Sequence, residues 1–226
     1  SSLNTGSGRL IKTGFAKLVL SGISNFTGGT TLSGGTLTIS DDRNLGAVPT
    51  TPTVNLTLAG GTTLQFSGQP TELVLSPNRS IALTGNVTVK NDSTTAAATI
   101  AGAITGSANL SITGIGSNTQ NLAFTGANNL SGNTTISQSA KVVLGNTNAL
   151  GSGTLSIDNA SLDIGAYSQV VGAVTLSASS GGLASILGSG GVLTGSSYTL
   201  TSNGNTSPLT VSASLGGSGA LTASMT

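Results

Sequence analysis

The sequence predicts an all-β protein and, within that class, a parallel β-helix of about ten coils. Three observations lead to this prediction. Apolar residues alternate with small polar residues in short segments along the whole chain. Glycine is abundant, whereas aromatic residues are only 3% and charged residues only 6% of the 226 residues, which argues against a core of bulky rings. Two long stretches of the chain also resemble each other, as is typical of repetitive folds.

The strand segments follow one another with little between them but turn residues. Most end at Gly, Asn or Ser, which is the pattern of strands punctuated by turns. In chain order they read KLVLSG, GTLTIS, VNLTLAG, TTLQFSG, ELVLS, SIALTG, NVTVK, NLSITG, NTTIS, GTLSID, ASLDIG, AVTLS, SYTLT and PLTVS. No window repeats apolar residues at helical spacing over three turns. The alanine-rich segment 93–104 is the best helix candidate, but its Thr, Ile and Gly content favours a strand.

The turn residues distinguish a β-helix from other all-β folds. A sandwich or barrel favours bulky aromatic residues and hairpin turns such as Asn-Gly, which occurs once, at Asn203-Gly204. A β-helix needs instead a narrow aliphatic column and short strands that meet at corners, where glycine or asparagine takes positive φ. About ten coils of roughly 20–25 residues each fit this chain. At ~4.8 Å per coil, they predict a rod about 45–50 Å long.

The internal repeat sets the predicted organisation. The stretch from Asn25, NFTGGTTLSGGTLTIS, resembles NLSGNTTISQSAKVVL from Asn129, and GSGRL at 6–10 resembles GSANL at 106–110 and GSGAL at 217–221. We predict a single β-helical segment over 1–226, with units at 6–105 and 106–216 and the start of a third at 217–226. Because the pattern begins and ends within a unit, we expect the segment to belong to a longer array.

The residues that we predict to shape the repeat are its turn residues. Glycine and asparagine tolerate the backbone conformations that tight corners require. The predicted positions are Asn25, Gly28, Gly29, Gly35 and Gly46 in the first stretch and Asn129, Gly132 and Gly151 in the second.

Composition excludes several classes of function. The net charge of +1 comes from scattered residues, so there is no basic cluster for nucleic acid and no polybasic segment for a membrane surface. No apolar run approaches the ~18 residues of a membrane helix, so we expect no direct membrane insertion. Cysteine is absent, which excludes disulfides and thiolate metal sites. Histidine is absent as well, which removes the usual general base and any Ser–His triad.

The charged residues do not predict an active site. Asp41 and Asp42, beside Arg43, are the only adjacent acids, and we interpret them as a turn with local hydrogen bonds. Lys12 and Lys17 flank a glycine turn and are predicted to be solvated. We therefore expect no catalytic residues, no cofactor and no metal, and predict that the protein is not an enzyme.

Two smaller patterns suggest binding surfaces. Tyr167 and Tyr198 would form a sugar-binding platform if they lay on one face, but packing at the edge of the core is the favoured interpretation. Thr36-Leu37-Thr38 suggests an ice-binding array. We reject that idea, because the other threonines do not recur at a single coil spacing in the sequence.

One family resemblance is specific. The segment GRLIKTGFAKLVLSGISNFTGGTTLSGGTLTISDDRNLGA at 8–47 resembles the passenger-associated transport repeat of bacterial autotransporters. The matching positions are Leu10, Lys12, Gly14, Leu18, Leu20, Gly22, Asn25, Phe26, Thr27, Gly28, Gly29, Thr30, Gly35, Thr36, Leu37, Leu45 and Gly46. The second copy, at 106–152, keeps the glycines and apolar residues but not the lysine. The resemblance implies a right-handed helix located outside the cell, in the passenger of an exported surface protein.

The predicted function is that of a structural and adhesive stalk segment on a bacterial surface, of the kind involved in adhesion or biofilms. The expected partners are like rods, in self-association, or surface molecules of host or neighbouring cells. Two alternatives stay open. A β-helical enzyme acting on polysaccharide would need three or more acidic or basic side chains converging on one face. A phage or filament coat protein could use the same fold.

Overall fold

A computed structural model describes residues 6–114, 121–179, 181–203 and 208–226. These residues form 26 strands and one short 3-10 helix, η1 (Asp42–Leu45). The strand pairs formed by these residues are parallel. The prediction of a right-handed parallel β-helix with about ten coils is confirmed, since the chain makes about nine turns between its first and last strands.

One sheet runs the whole length of the helix and is called the long sheet below. It contains ten strands in axial order. They are β2 (Lys17–Leu20), β4 (Thr36–Ile39), β6 (Thr62–Phe66), β9 (Val87–Asn91), β12 (Leu110–Thr113), β15 (Thr134–Ser137), β17 (Leu155–Asp158), β20 (Ala173–Ser179), β23 (Ser197–Asn203) and β26 (Leu221–Met225).

Three shorter sheets complete the coils. The seven-stranded sheet contains β7 (Leu73–Leu75), β10 (Ala98–Ile100), β13 (Asn121–Phe124), β16 (Lys141–Leu144), β18 (Ser161–Asp163), β21 (Ala184–Leu187) and β24 (Leu209–Val211). The six-stranded sheet contains β1 (Leu10–Lys12), β3 (Thr30–Leu32), β5 (Thr53–Leu58), β8 (Arg79–Leu83), β11 (Ile104–Gly106) and β14 (Asn129–Leu130). The three-stranded sheet contains β19 (Gln169–Val170), β22 (Val192–Thr194) and β25 (Ser214–Gly216). The alanine-rich segment 93–104 therefore supplies strands, as predicted.

The core is a stack of aliphatic side chains. In the long sheet, inward positions of successive strands are register partners and are 0–1% exposed. Five of them are Leu37, Leu64, Val89, Ile112 and Ile136. Burying a side chain of this size contributes about 1.5–3 kcal/mol. Each coil therefore adds its own layer to a continuous core, and Phe26, Phe66 and Phe124 are buried in addition to the aliphatic side chains.

Coil length varies although register does not. Register partners in the long sheet are 19 residues apart from Lys17 to Thr36 and 27 residues apart from Thr36 to Thr63. The other steps fall within these limits. The difference is absorbed in the connections between strands, for example by η1. Axial neighbours therefore cannot be found by counting a constant number of residues.

The two resembling stretches occupy different faces of the helix. Thr30–Leu32 form β3 in the six-stranded sheet, whereas Thr134–Ser137 form β15 in the long sheet. Both stretches nevertheless make the same kind of hydrogen bond to the next coil. The Thr30 hydroxyl donates to the carbonyl of Leu45 at 3.1 Å, and the Thr134 hydroxyl donates to the carbonyl of Leu150 at 3.2 Å.

A second shared contact involves the backbone. Ala47 N–H donates to the carbonyl of Phe26 at 2.9 Å, and Ser152 N–H donates to the carbonyl of Leu130 at 2.8 Å. The two stretches therefore keep the same local packing although the second is displaced by one face. These contacts concern residues 26–47 and 130–152, so the unit boundaries at 105/106 and 216/217 stay predictions.

Candidate functional site

The predicted turn glycines have two different physical roles. Gly29, Gly35, Gly46 and Gly151 take positive φ, at 77°, 67°, 98° and 76°. Gly28 is needed for close approach, because a Cβ there would lie 2.7 Å from the carbonyl oxygen of Gly8. Both roles exclude a side chain, the first through backbone strain and the second through collision with the neighbouring coil.

The matching position in the second stretch behaves in the same way. A Cβ on Gly132 would collide with the carbonyl of Ala108. The two predicted asparagines do not have positive φ angles. Asn25 is exposed, and Asn129 is the first residue of β14. The described asparagines with positive φ are Asn148 and Asn159, at 61° and 47°.

A ladder of asparagines at the corner preceding the long sheet was not predicted. The Oδ1 atom of Asn86 accepts from the backbone N–H of Asn109 at 3.0 Å, and that of Asn109 accepts from Asn133 N–H at 2.9 Å. The next step runs from Asn133 to the N–H of Thr154 at 3.1 Å. Each side chain replaces the backbone hydrogen bond that a corner breaks. The signal was an Asn two residues before a strand hydroxyl, in Asn86-Val-Thr, Asn109-Leu-Ser and Asn133-Thr-Thr.

The carboxylates are distributed along the rod, and each already has a polar partner. The pairs are Asp41 with Arg43, Asp42 with Arg79, Glu72 with Thr99, Asp92 with Lys90, Asp158 with Ser177 and Asp163 with the N–H of Gly165. Among the described residues, no group of three or more Asp, Glu, His or Cys side chains could hold a metal ion.

One cleft does bring three acids together. Asp41, Asp42 and Glu72 line a cleft of about 180 Å³ between η1 and β7. Ion pairs hold Asp41 and Asp42, and Glu72 accepts from the Thr99 hydroxyl at 2.6 Å. Two of the three carboxylates in the cleft are therefore already paired with arginine side chains.

Asp41 makes the local turn predicted for it. It is the N-cap of η1, its side chain accepts from Arg43 N–H at 2.8 Å, and Asn44 Oδ1 accepts in return from Asp41 N–H at 2.9 Å. This is a reciprocal capping box with Asn in the third position. The Arg43 side chain also donates to the carboxylate, and this hydrogen bond lowers the pKa of Asp41.

Asp42 has a long-range role that the sequence did not indicate. Its carboxylate accepts from Nε of Arg79 at 2.6 Å, and Arg79 is completely buried. The same guanidinium contacts Asn55 Oδ1 and donates to the carbonyls of Leu45 and Gly46 at 3.4 and 3.2 Å. Arg79 therefore ties η1 and β5 to β8, across consecutive coils.

The prediction that Lys12 is a solvated charge is wrong. The residue is only 8% exposed, and its ammonium donates to the carbonyls of Thr13, Gly14 and Gly34 at 2.9, 2.7 and 2.9 Å. All three ammonium hydrogens are therefore engaged with the glycine turns of two adjacent coils. Lys17 is exposed, as predicted.

The outer face of the long sheet carries a continuous line of hydroxyl groups, called the hydroxyl column below. Register pairing brings one Ser or Thr from each of nine successive strands into line. The residues are Thr36, Thr63, Thr88, Ser111, Thr135, Ser156, Thr175, Thr199 and Thr222. The threonines do not recur at a single spacing in the sequence, but the variable coil length hides a column that is regular in space.

The hydroxyl column differs from the neighbouring outward column, called the paired column below. None of the nine hydroxyls makes a side-chain hydrogen bond to another described residue. The paired column lies two residues further along each strand and consists of Thr38, Gln65, Lys90, Thr113, Ser137, Asp158, Ser177, Thr201 and Ser224. There, Thr38 donates to Gln65 at 2.9 Å and Ser177 donates to Asp158 at 2.8 Å. Gln65 follows Thr38, so the Thr-x-Thr pattern is not repeated in the next coil.

The tyrosines do not form a binding platform. Tyr198 is 5% exposed, and its hydroxyl lies 2.5 Å from the carbonyl of Leu193 and 2.7 Å from that of Gly216. Tyr167 is 41% exposed on a turn. Only one of the two rings is thus accessible to a ligand.

Among the residues that the structure describes, no helix is long and apolar enough to cross a membrane.

One part of this chain matches a known protein family. Residues 10–39 match the family described as passenger-associated-transport-repeat. The chain thus contains a passenger-associated-transport-repeat over these residues. Within this repeat, Lys12 and Gly35 lie in the stacked glycine turns described above. This repeat match is the observation that supports an extracellular passenger location for the segment.

A curated relative supports this assignment. The chain is 36% identical over 95 residues to "Adhesin BmaC autotransporter" of Brucella suis biovar 1 (strain 1330). The match covers 42% of this chain and 2% of that protein, so the chain spans a very small part of its relative. No solved structure matches.

Proposed function

We propose that this segment is a structural stalk of an exported bacterial surface protein and that it adheres or self-associates through its polar faces. The observation that carries the proposal is the hydroxyl column. It combines little charge, one unpaired hydroxyl per coil and a rigid, repetitive support. The similarity to a protein named as an adhesin is consistent with it.

The mechanism rests on repetition. Main-chain hydrogen bonds between parallel strands run along the rod axis and hold the outer hydroxyls in register. A single hydrogen bond contributes only about 0.5–1.5 kcal/mol. Many such contacts on one rigid face act together once the first has formed, as in multivalent binding. A long array of such coils would therefore bind firmly although each coil binds weakly.

The carboxylates support a structural role over an enzymatic one. All six acids are engaged with Arg, Lys, hydroxyl or backbone partners. A glycoside hydrolase needs one carboxyl group as an acid and another as a base or nucleophile. The proposal therefore assigns binding, and not catalysis, to the outer surface.

The proposal can be tested with beads that carry the chain covalently. Coated beads should aggregate with each other or bind to cultured host cells or bacteria. A variant with Thr63→Asp, Thr135→Asp and Thr175→Asp places repelling charges on the hydroxyl column and should lose this binding. The matched control places the same three charges on the seven-stranded sheet, with Asn121→Asp, Ser185→Asp and Thr210→Asp, and should keep it. Wild-type beads that neither aggregate nor bind cells would contradict the proposal.

A further inference from the structure

We propose that a cleft on the side of the rod binds one ring of a neutral sugar. Asn129, Asn148, Ser152 and Val170 are among the residues that line this cleft, called the amide cleft below, whose volume is about 260 Å³. The strands that border it, β14 and β19, belong to the six-stranded and three-stranded sheets. The amide cleft therefore lies away from the long sheet, and the inference goes beyond the proposed function without depending on it.

The cleft forms where one coil crosses this face of the rod without a strand. Residues 145–154 contain no strand, and Asn148 and Gly151 have positive φ angles of 61° and 76°. A Cβ on Gly151 would lie 2.3 Å from the carbonyl oxygen of Leu130 in the coil below. Since this position admits no side chain, the space between the residues that line the cleft stays open.

A chain of buried hydrogen bonds holds the coil that carries Asn148. The Oδ1 atom of Asn128 accepts from the N–H of Ile104 at 2.7 Å, and its Nδ2 donates to the carbonyl of Ala149 at 2.6 Å. The N–H of Ala149 in turn donates to Oε1 of Gln169 at 2.9 Å. Asn148 therefore precedes a residue that is fixed from the coil on either side. A binding group that is already held in place loses less conformational freedom when a ligand arrives.

The free groups of the cleft suit a sugar. The side-chain amides of Asn129 and Asn148 are exposed, and neither makes a hydrogen bond to another described residue. A carboxamide accepts through its oxygen and donates through its nitrogen, so one amide can bind two neighbouring sugar hydroxyls, each of which both donates and accepts. Val170 is 62% exposed and offers an apolar surface to the C–H face of the ring.

Charge, size and backbone pairing disfavour other ligands. None of the described residues that line the cleft is charged, so a charged ligand would lose water without gaining an opposite charge. The volume lies just below the usual range of small-molecule sites, roughly 300–1,000 Å³, which favours a single ring and weak binding. A peptide would need a free strand edge, but the carbonyl of Leu130 in β14 already accepts from the N–H of Ser152 at 2.8 Å.

The first resembling stretch provides a natural comparison. The matching backbone bonds described above place Asn25 where the second stretch has Asn129, and Arg43 where it has Asn148. Asn25 is also exposed, but Arg43 forms an ion pair with Asp41 at 2.8 Å. The first stretch therefore has one of the two amides and a pair of charges in place of the other.

Nuclear magnetic resonance on the ¹⁵N-labelled chain tests the inference. Glucose, galactose, mannose and N-acetylglucosamine are titrated separately. At least one of them should produce saturable shifts in the backbone signals of Gly151 and Val170 and in the side-chain amide signals of Asn129 and Asn148. Glucuronate, as a charged sugar, and a blocked trialanine peptide should produce no saturable shifts at these positions.

Two variants measure the contribution of the amides. Asn148→Gly removes one amide and tolerates the positive φ angle, and Asn129→Ala removes the other. Each should bind the sugar about three- to tenfold more weakly, the range expected for the loss of one or two hydrogen bonds. Asn25→Ala, at the equivalent place in the first stretch, is the matched control and should bind as wild type does. Unchanged signals from the other coils show that each variant folds.

Four results would overturn the inference. They are no saturable shift with any of the four sugars, saturable shifts centred on another part of the rod, tighter binding of glucuronate or the peptide in the cleft, and amide variants that bind as wild type does. If one variant does not fold, the other variant and the wild-type titration still decide. The variant with Thr63→Asp, Thr135→Asp and Thr175→Asp should keep the sugar shifts, so this inference and the proposed function can fail separately.

Discussion

Two buried cations stabilise the turns at the start of the rod. Arg79 and Lys12 each direct their donors at backbone carbonyls that point out of the regular strands. A corner leaves such carbonyls without a strand partner, and an unsatisfied buried polar group is costly. A long cationic side chain donates hydrogen bonds to several of these carbonyls at once. This explains why Arg79 and Lys12 are buried although the chain has few charged residues.

Replacing Arg79 by Met should destabilise the protein by about 3–5 kcal/mol, because Asp42 would be left as a buried, unpaired carboxylate. The measurement is the free energy of unfolding in urea. Arg43→Met removes an exposed arginine from an ion pair with the adjacent acid and should have a much smaller effect. The double variant Arg79→Met with Asp42→Asn should recover part of the loss, since no charge is then left buried. No recovery would show that the carbonyl contacts, and not the ion pair, dominate.

Protonation of Asp41 at low pH should lower the stability of the folded protein. Its pKa is lowered by the Arg43 side chain, so its ionised form favours the folded state. That contribution is present above the pKa of the unfolded chain, about 3.9, and is lost as the pH falls through the folded pKa. Asp41→Asn keeps a good N-cap but loses the charge. It should lower Tm slightly at pH 7, and the difference should shrink as the pH falls below about 3.9; a difference that does not change with pH would contradict the assignment.

At the scale of the secondary-structure element, close approach between coils decides where glycine is needed. Gly132→Ala would drive a methyl group into the carbonyl of Ala108 and should cost about 1–3 kcal/mol, the usual range for overpacking. Gly60 is the matched control, because a Cβ there would meet its nearest neighbour at 3.5 Å and its φ is not positive. Gly60→Ala should be nearly neutral. Urea denaturation of both variants provides the test, and equal effects would rule out the contact as the cause.

The elements also show where prediction from sequence succeeded. Alternation identified strands such as Thr134–Ser137, because outward and inward positions have a period of two that any short window reveals. The resemblance between the stretches from Asn25 and Asn129 pointed to a shared packing, seen in the matching bonds of Thr30 and Thr134. It did not show that the second stretch is displaced by one face. That displacement depends on how many residues each connection contains.

At the scale of the whole molecule, each coil contacts only its neighbours, so stability is distributed along the rod. Strands in the middle are hydrogen-bonded on both sides, as β12 is to β9 and β15. In the described residues, β2 and β26 each have one neighbour in the long sheet. Studied as this 226-residue segment, the rod should therefore open more readily at β2 and β26 than at its centre.

Hydrogen exchange should follow this gradient. Amides of β12 and β15 should exchange slowest, and those of β2 and β26 fastest, because opening an end breaks one interface whereas opening the centre breaks two. Exchange measured by mass spectrometry on peptides from each coil would show the profile. Uniform protection along the chain would mean that it unfolds as one cooperative unit and would contradict the nearest-neighbour description.

Alternation identified the strands and the aliphatic core, because it depends on neighbouring residues in one strand. The parallel coils and their approximate number followed from the glycine- and asparagine-rich corners, the internal repeat and the usual length of a coil. Contacts along the axis were decided only by folding. Arg79 and Asp42 are 37 residues apart, and the hydroxyl column joins residues at steps of 19 to 27. The physical reason is that corners absorb insertions without disturbing strand register. Residues that form a regular column on the surface are therefore irregularly spaced in the sequence.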